Sequence, residues 1–221
     1  MGKGGNIIMY HFEYVTKNER KKEKAKLIQL LNLVQDEVRK KFTFRFDFVG
    51  SDKRNMVTCD RKSNIGYDFD VNIEVNDDDE NYSPKMIKTI LIKAFNKYAN
   101  KFNYSQCENN TRVITIKVVD NDQSKIKHSC DFAIVNNCKN GQQQYIRFNK
   151  NRNSYSWEYQ GKGFYQLPEK IRFCKDNKLW NEVKEMYLYK KNTSKDLNKK
   201  SRSIFAETIN QICDKYKYSP F

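Results

Sequence analysis

The sequence predicts an α+β fold in which helices pack on one face of a mixed β-sheet. Three observations carry this: segments with apolar residues at helical spacing, short segments in which apolar and polar residues alternate, and the order in which the two kinds follow one another. Residues 17–42 open as a charged run and then place Leu27, Leu31, Val34 and Val38 at i, i+4, i+7 and i+11, the stripe of an amphipathic helix. In residues 42–50, Phe42, Phe44, Phe46 and Phe48 alternate with Thr43, Arg45 and Asp47 before Gly50-Ser51, a strand with one buried face. The polar stretch 52–66 has no period and reads as a loop with room for a short helix or strand.

In residues 67–75, Tyr67, Phe69, Val71, Ile73 and Val75 share one parity, while the other carries Asp68, Asp70, Asn72 and Glu74. This is a strand with an apolar and an acidic face, Glu74 being solvent-facing. Asp77 to Glu80 form a turn, and Ser83-Pro84 supply the N-cap and first-turn proline of a helix reaching about Phe102. Its buried stripe uses Met86, Ile87, Ile90, Leu91, Ala94, Phe95 and Tyr98. Residues 112–120 and 128–135 are strands separated by a polar turn at 121–127, with His128 a surface residue at the strand start. Residues 143–150 and 153–160 flank a turn as a hairpin, and helices follow at 168–175, 178–190 and 201–216. The Lys-rich stretch 190–200 is the one low-order candidate, and Trp157, Trp180 and Tyr187 read as core or hairpin packing.

A chain of 221 residues carries one domain, or one with an appendage, and can bury about 70% of its unfolded surface. Its 14 Phe and 14 Tyr exclude a fully disordered protein despite an apolar content of only 38%. No stretch reaches the roughly 18 apolar residues of a membrane span, and the opening lacks a signal peptide's apolar run. A cytoplasmic protein without a membrane partner is expected. Six dispersed cysteines without a C-x-x-C pair, beside two histidines, argue for reduced, buried or half-buried thiols rather than a disulfide framework or zinc site. The net charge of +15 favours anionic partners such as nucleotides or nucleic acid, and admits RNA.

Asp68 and Asp70 carry the chemistry. Residues i and i+2 of a strand project from one face with Cα atoms about 6 to 7 Å apart. Asp is depleted in strands and like charges repel, so something positive belongs there. Mg²⁺, typically held by one or two carboxylates plus substrate phosphates, is the simplest candidate. Asp131, in a strand able to pair beside 67–75, would add a third carboxylate. Two metals bridged by such groups hold the attacking and leaving oxygens of an in-line phosphoryl displacement. Gly50 lets backbone approach a phosphate closely, and the Ser51 hydroxyl with adjacent N–H groups can cradle its oxygens. Lys53 and Arg54 follow as candidate phosphate contacts.

In this order Val49-Gly50-Ser51, Asp68-Phe69-Asp70-Val71 and Asp131-Phe132 resemble the motifs of the DNA-polymerase-β-like nucleotidyltransferase superfamily, over about residues 20–160. The resemblance implies a nucleotidyltransferase palm over residues 1–165, including the N-terminal helix, and a short helical C-terminal extension over 166–221. It also implies a nucleoside triphosphate substrate with two Mg²⁺ or Mn²⁺ ions, and transfer of a nucleoside monophosphate to an acceptor with loss of pyrophosphate. Carried over, Asp68 and Asp70 bind both metals and Asp131 binds the catalytic metal and helps deprotonate the acceptor. Gly50 and Ser51 then hold the terminal phosphates. Many members place a second glycine and a Ser or Thr soon after Gly-Ser, whereas this chain reads SDKRNMVT. The longer interval from Ser51 to Asp68 resembles the oligoadenylate and cyclic-dinucleotide synthase branch, whose helical domain is larger than the roughly 55 residues left here.

Two other classes of function compete. A catalytically silent palm, acting as a nucleotide- or RNA-binding module, has no need for three carboxylates on one surface. A scaffold without ligand predicts that Asp68→Asn and Asp70→Asn stabilise the chain and that metal has no effect.

Overall fold

The computed structural model describes residues 10–62, 65–77, 80–120, 125–194, 196 and 199–219. In chain order the elements are β1 (Phe12–Tyr14), α1 (Lys17–Val38), β2 (Thr43–Val49), α2 (Gly50–Lys53), β3 (Thr58–Asp60), β4 (Tyr67–Asn76) and α3 (Pro84–Tyr98), which tightens into a 3₁₀ turn at Ala99–Phe102. There follow β5 (Glu108–Asn109), β6 (Ile114–Asp120), β7 (Lys125–Asn137), β8 (Gln143–Asn149), β9 (Ser154–Tyr159), α4 (Lys162–Asp176), α5 (Trp180–Thr193) and α6 (Ser201–Lys215). The α+β class expected from the sequence is the class observed. Parts of the stretches 77–80, 121–127 and 190–200 lie outside the described residues. Among the described residues no helix is long and apolar enough to cross a membrane.

The chain divides into two compact units, one of Tyr14–Cys59 with Asn64–Gln160, the other of Met1–Glu13, Asp60–Ser63 and Gly161–Phe221. In the first, a mixed sheet runs in the order β2-β4-β7-β6-β5, with β8 on β7 and β9 on β8. The β4–β7 pair is parallel and its neighbours are antiparallel. A parallel pair needs a crossover, and the segment containing α3 supplies it.

Helix α1 starts at a capping box in which the Thr16 hydroxyl accepts from the Glu19 N–H and the Glu19 carboxylate accepts from the Thr16 N–H. It buries Leu27, Leu30, Leu31, Val34 and Val38. Helix α3 starts where the Ser83 hydroxyl accepts from the Met86 N–H at 3.3 Å, ahead of Pro84 in the first turn. Ile87, Leu91, Ala94 and Phe95 join one core with Phe69, Val71 and Ile73 of β4 and Phe132 and Ile134 of β7. The rings of Phe95 and Phe132 stack with centroids 4.3 Å apart.

Two expectations need correction. Met86 is 47% exposed, because it lies about 100° round the helix from Ile87. Lys88 on the flank of the stripe is buried instead, 1% exposed, and its ammonium donates to the Asn110 carbonyl at 2.7 Å. His128 is not a surface residue: β7 begins three residues earlier, at Lys125, so His128 falls inside the strand and is 2% exposed. Its ring stacks on Tyr67 at 5.4 Å and meets the Tyr104 hydroxyl at 3.1 Å, and burial lowers its pKa to about 4, leaving the imidazole neutral at pH 7.

In the second unit, α4, α5 and α6 bury Cys174, Val183, Tyr187, Phe205, Ile209 and Ile212. Trp180 packs edge-on against Phe205, as its packing role requires. Helix α4 starts at Lys162, earlier than the expected 168, and carries Pro168 inside it.

The Phe95–Phe132 stack joins α3 to the strand that carries Asp131, so Phe95→Ala should cost about 3–5 kcal/mol in urea unfolding of the full chain.

Candidate active site

Side-chain alternation on β4 and β7 sorts the site from the core. On β4, Phe69, Val71 and Ile73 are fully buried, which sends Asp68 and Asp70 to the opposite face. On β7, Cys130, Phe132 and Ile134 are buried in the same way, and Ser129 and Asp131 face the other side. The parallel register aligns Asp68 with Ser129 and Asp70 with Asp131. Continuing outward, Thr115 of β6 lies opposite Asp131, Lys117 opposite Ser129, and Glu108 of β5 opposite Thr115. On the other flank Val49, the last residue of β2, pairs with Asp70 and leads directly into Gly50.

Each carboxylate has a fixed donor. The Ser129 hydroxyl donates to Asp68 Oδ1, the Ser51 backbone N–H to Asp70, and the Thr115 hydroxyl to Asp131 Oδ1 at 2.5 Å. Burial, with the charges of Asp68 and Asp131, raises the Asp70 pKa to about 6, against the opposing effects of Arg54 and the Ser51 bond. Burial also lifts Asp131 above the ordinary carboxylate range, and Asp68 and Glu108 add to this against the Thr115 hydrogen bond. The face therefore concentrates negative charge that a cation would relieve.

Gly50 abuts this cluster. Its φ is +61°, and a Cβ there would stand 2.0 Å from Asp70 Oδ2, so conformation and space both demand glycine. Gly50 and Ser51 open the short α2, while Lys53 is exposed at its end and Arg54 is half-buried next to it. Asp52 turns the other way and is buried. It accepts from Arg20 Nε at 2.7 Å and Lys24 Nζ at 2.5 Å, both on α1. Arg20 also donates to the Val15 carbonyl and to Asn55 Oδ1, so α1 clamps the turn that follows Gly50. Burial pushes the Asp52 carboxyl up, and the two cationic partners outweigh it and hold it low.

Asp68, Asp70, Asp131, Gly50 and Ser51 thus stand together, with Arg54 acting on Asp70 through its charge. Glu74 is engaged elsewhere, gripped by Arg45 from β2. The sequence reading missed Thr115, Ser129 and the Arg20–Asp52 clamp. Parity alone puts Thr115 opposite in face to Ile114 and Ile116, but which carboxylate it meets depends on register. Among the described residues no group of three or more His, Cys, Asp or Glu side chains is placed to hold a metal ion. Mg²⁺ does not require one, since it keeps several waters and takes phosphate oxygens from its substrate.

No protein-family model and no curated protein matches the chain. Solved structures do. The CD-NTase CdnG of Bradyrhizobium diazoefficiens, in complex with GTP, superposes with a TM-score of 0.51 at 13% identity, over 80% of this chain and 44% of that one. The DncV cyclic AMP-GMP synthase of Vibrio cholerae, in complex with the linear intermediate pppA(3′,5′)pG, superposes with a TM-score of 0.64 at 14% identity, over 89% of this chain and 67% of that one. The GTP-bound form of DncV gives a TM-score of 0.56 at 15% identity, over 89% and 52%. The chain has the nucleotidyltransferase fold of these synthases. It spans less than half the length of CdnG and about two thirds of DncV in its intermediate-bound form. In this chain the acidic face belongs to the sheet, and α1 and α3 pack on the other side of it.

The raised Asp70 pKa has a stability consequence whose sign is opposite to that of a salt-bridged carboxylate. Ionising Asp70 costs folding free energy above pH about 6, and the cost vanishes below its unfolded value of 3.8. In metal-free buffer Asp70→Asn should therefore raise Tm at pH 7.5, with the gain disappearing near pH 4 in a thermal scan across pH.

Proposed function

We propose that the protein is a metal-dependent nucleotidyltransferase that moves a nucleoside monophosphate from a nucleoside triphosphate to an acceptor hydroxyl and releases pyrophosphate. The observation that carries this is the register pairing Asp70 with Asp131, with Asp68 on the same face and the Gly50 backbone against the Asp70 carboxylate. The sharing of a fold with nucleotidyltransferases supports it.

The donor set fits Mg²⁺ or Mn²⁺. It is all hard oxygen, and the Asp68 charge adds to burial in raising the pKa of Asp70 and of Asp131. Asp68 and Asp70 would hold both ions and Asp131 the catalytic one. Bound there, two ions supply charge neutralisation to the attacking and leaving oxygens. The remaining work falls to the chain. Gly50 and Ser51 hold the terminal phosphates by close backbone approach and the Ser51 hydroxyl, and Lys53 and Arg54 add positive charge behind them. The acceptor oxygen bonds to the α-phosphorus, the bond from that phosphorus to the β-phosphate oxygen breaks, and pyrophosphate departs. Asp131 takes the acceptor proton. The unit of Tyr14–Cys59 and Asn64–Gln160 serves as the palm and the unit containing α4, α5 and α6 as the helical extension, and the charge of +15 suits an RNA or nucleotide acceptor.

The test needs no acceptor. Tm of wild type and Asp70→Asn is measured with each of the four ribonucleoside triphosphates, with and without Mg²⁺. Stabilisation that needs both nucleotide and metal, and is lost in Asp70→Asn, is expected. Nucleotide stabilisation independent of Mg²⁺ would favour a silent binding module, and no response at all would favour a scaffold. The Asp70→Asn rise in Tm without metal is common to every reading, because it comes from the burial of the Asp70 charge and its repulsion by Asp68 and Asp131. Pyrophosphate release assayed on the responding nucleotide should fall at least 100-fold in Asp131→Asn.

A further inference from the structure

Asp131 does not stand alone on the acidic face. Its Oδ1 accepts the Thr115 hydroxyl at 2.5 Å, and Thr115 Oγ1 accepts from Asn110 Nδ2 at 3.0 Å. The Asn110 carbonyl accepts from the Lys88 ammonium at 2.7 Å. Thr115 is 6% exposed and Lys88 1%, so the chain runs from the helix-covered interior to the acidic face.

The direction of these bonds matters. A threonine hydroxyl has a single proton. With the Asn110 amide donating to Oγ1, that proton is committed to Asp131, which fixes the rotation of the carboxylate about its terminal torsion. A buried ammonium without a carboxylate partner is costly, and burial lowers the Lys88 pKa to about 8. What Lys88 does is hold the backbone of Asn110, whose N–H also donates to the Val113 carbonyl at 3.1 Å. The turn between β5 and β6 is pinned at both ends, and its side-chain amide is thereby aimed at Thr115.

We infer that Thr115, backed by Asn110 and Lys88, is a positioning residue that orients the Asp131 carboxylate for metal binding and for accepting the acceptor proton. This rests on the nucleotidyltransferase reading. Partners behind a ligand typically change metal affinity or activity by 10–100-fold when removed. Thr115→Val keeps the shape and removes the hydroxyl, while Thr115→Ser keeps it.

The test measures Mn²⁺ binding by electron paramagnetic resonance, in the presence of the triphosphate that most stabilises the wild type, for wild type, Asp131→Asn, Thr115→Val and Thr115→Ser. Thr115→Val should bind Mn²⁺ about 10–100-fold more weakly with Tm little changed, and Thr115→Ser should recover most of the loss. Turnover should fall in kcat, with KM for the triphosphate unchanged. Mn²⁺ binding by Thr115→Val equal to that of a binding-competent wild type overturns the positioning role and leaves the enzyme reading intact. If wild type binds no Mn²⁺, or Asp131→Asn binds it equally well, the enzyme reading fails first and the inference with it. Should Thr115→Val not fold, Asn110→Ala reads the same relay from a half-buried position, and undiminished Mn²⁺ binding there counts against it.

Discussion

Repulsion among Asp68, Asp70 and Asp131 is the constraint around which the rest of the larger unit is arranged. Left to themselves these carboxylates would turn apart, and a strand rich in Asp is a poor strand. They stay together because the opposite face of the same two strands is locked: Phe69, Val71 and Ile73 on β4 and Cys130, Phe132 and Ile134 on β7 are sealed under α1 and α3. A slip of one residue in either strand would expose that apolar set and bury the acids. Core packing is therefore what maintains the acidic face, and its cost appears in the raised pKa values of Asp70 and Asp131.

The same logic governs the turn at Gly50. Its positive φ and its approach to Asp70 are local requirements, but the direction in which the chain leaves is set by Asp52, buried between Arg20 and Lys24. Breaking one side of such a buried pair typically costs 3–5 kcal/mol. Residues Asp52 onward thus anchor the turn to α1, where many nucleotidyltransferases that this sequence resembles carry a second glycine and a hydroxyl residue. The turn that follows Gly50 accordingly carries one hydroxyl, that of Ser51, with the Arg54 charge acting on Asp70.

Much of the fold was legible because amphipathic periodicity is strong in exactly the elements that form the core. The alternation in 67–75 and the stripe of Leu27, Leu31, Val34 and Val38 both appear in the structure as read. Errors arose where a boundary or a rotation decided the outcome. His128 changed from surface to interior because β7 starts at Lys125, and on α3 Met86 is exposed while Lys88 is buried with its ammonium on the Asn110 carbonyl. A buried lysine is the kind of residue that hydropathy assigns to solvent, and only its carbonyl partner, more than twenty positions away in the chain, explains it.

For the candidate site the division is similar. The sequence alone determined that Asp68 and Asp70 share a face, since strand parity is a property of the backbone, and that Gly50-Ser51 precedes them at the end of a strand. Tertiary structure decided that Asp70 lies beside Asp131 in a parallel pair, that Thr115 and Ser129 supply hydroxyl donors, and that Asp52 belongs to α1 rather than to the acidic face. Parity repeats every two residues and can be read locally. Register between strands some sixty residues apart is set by how their buried faces fit under common helices, and no local pattern contains it.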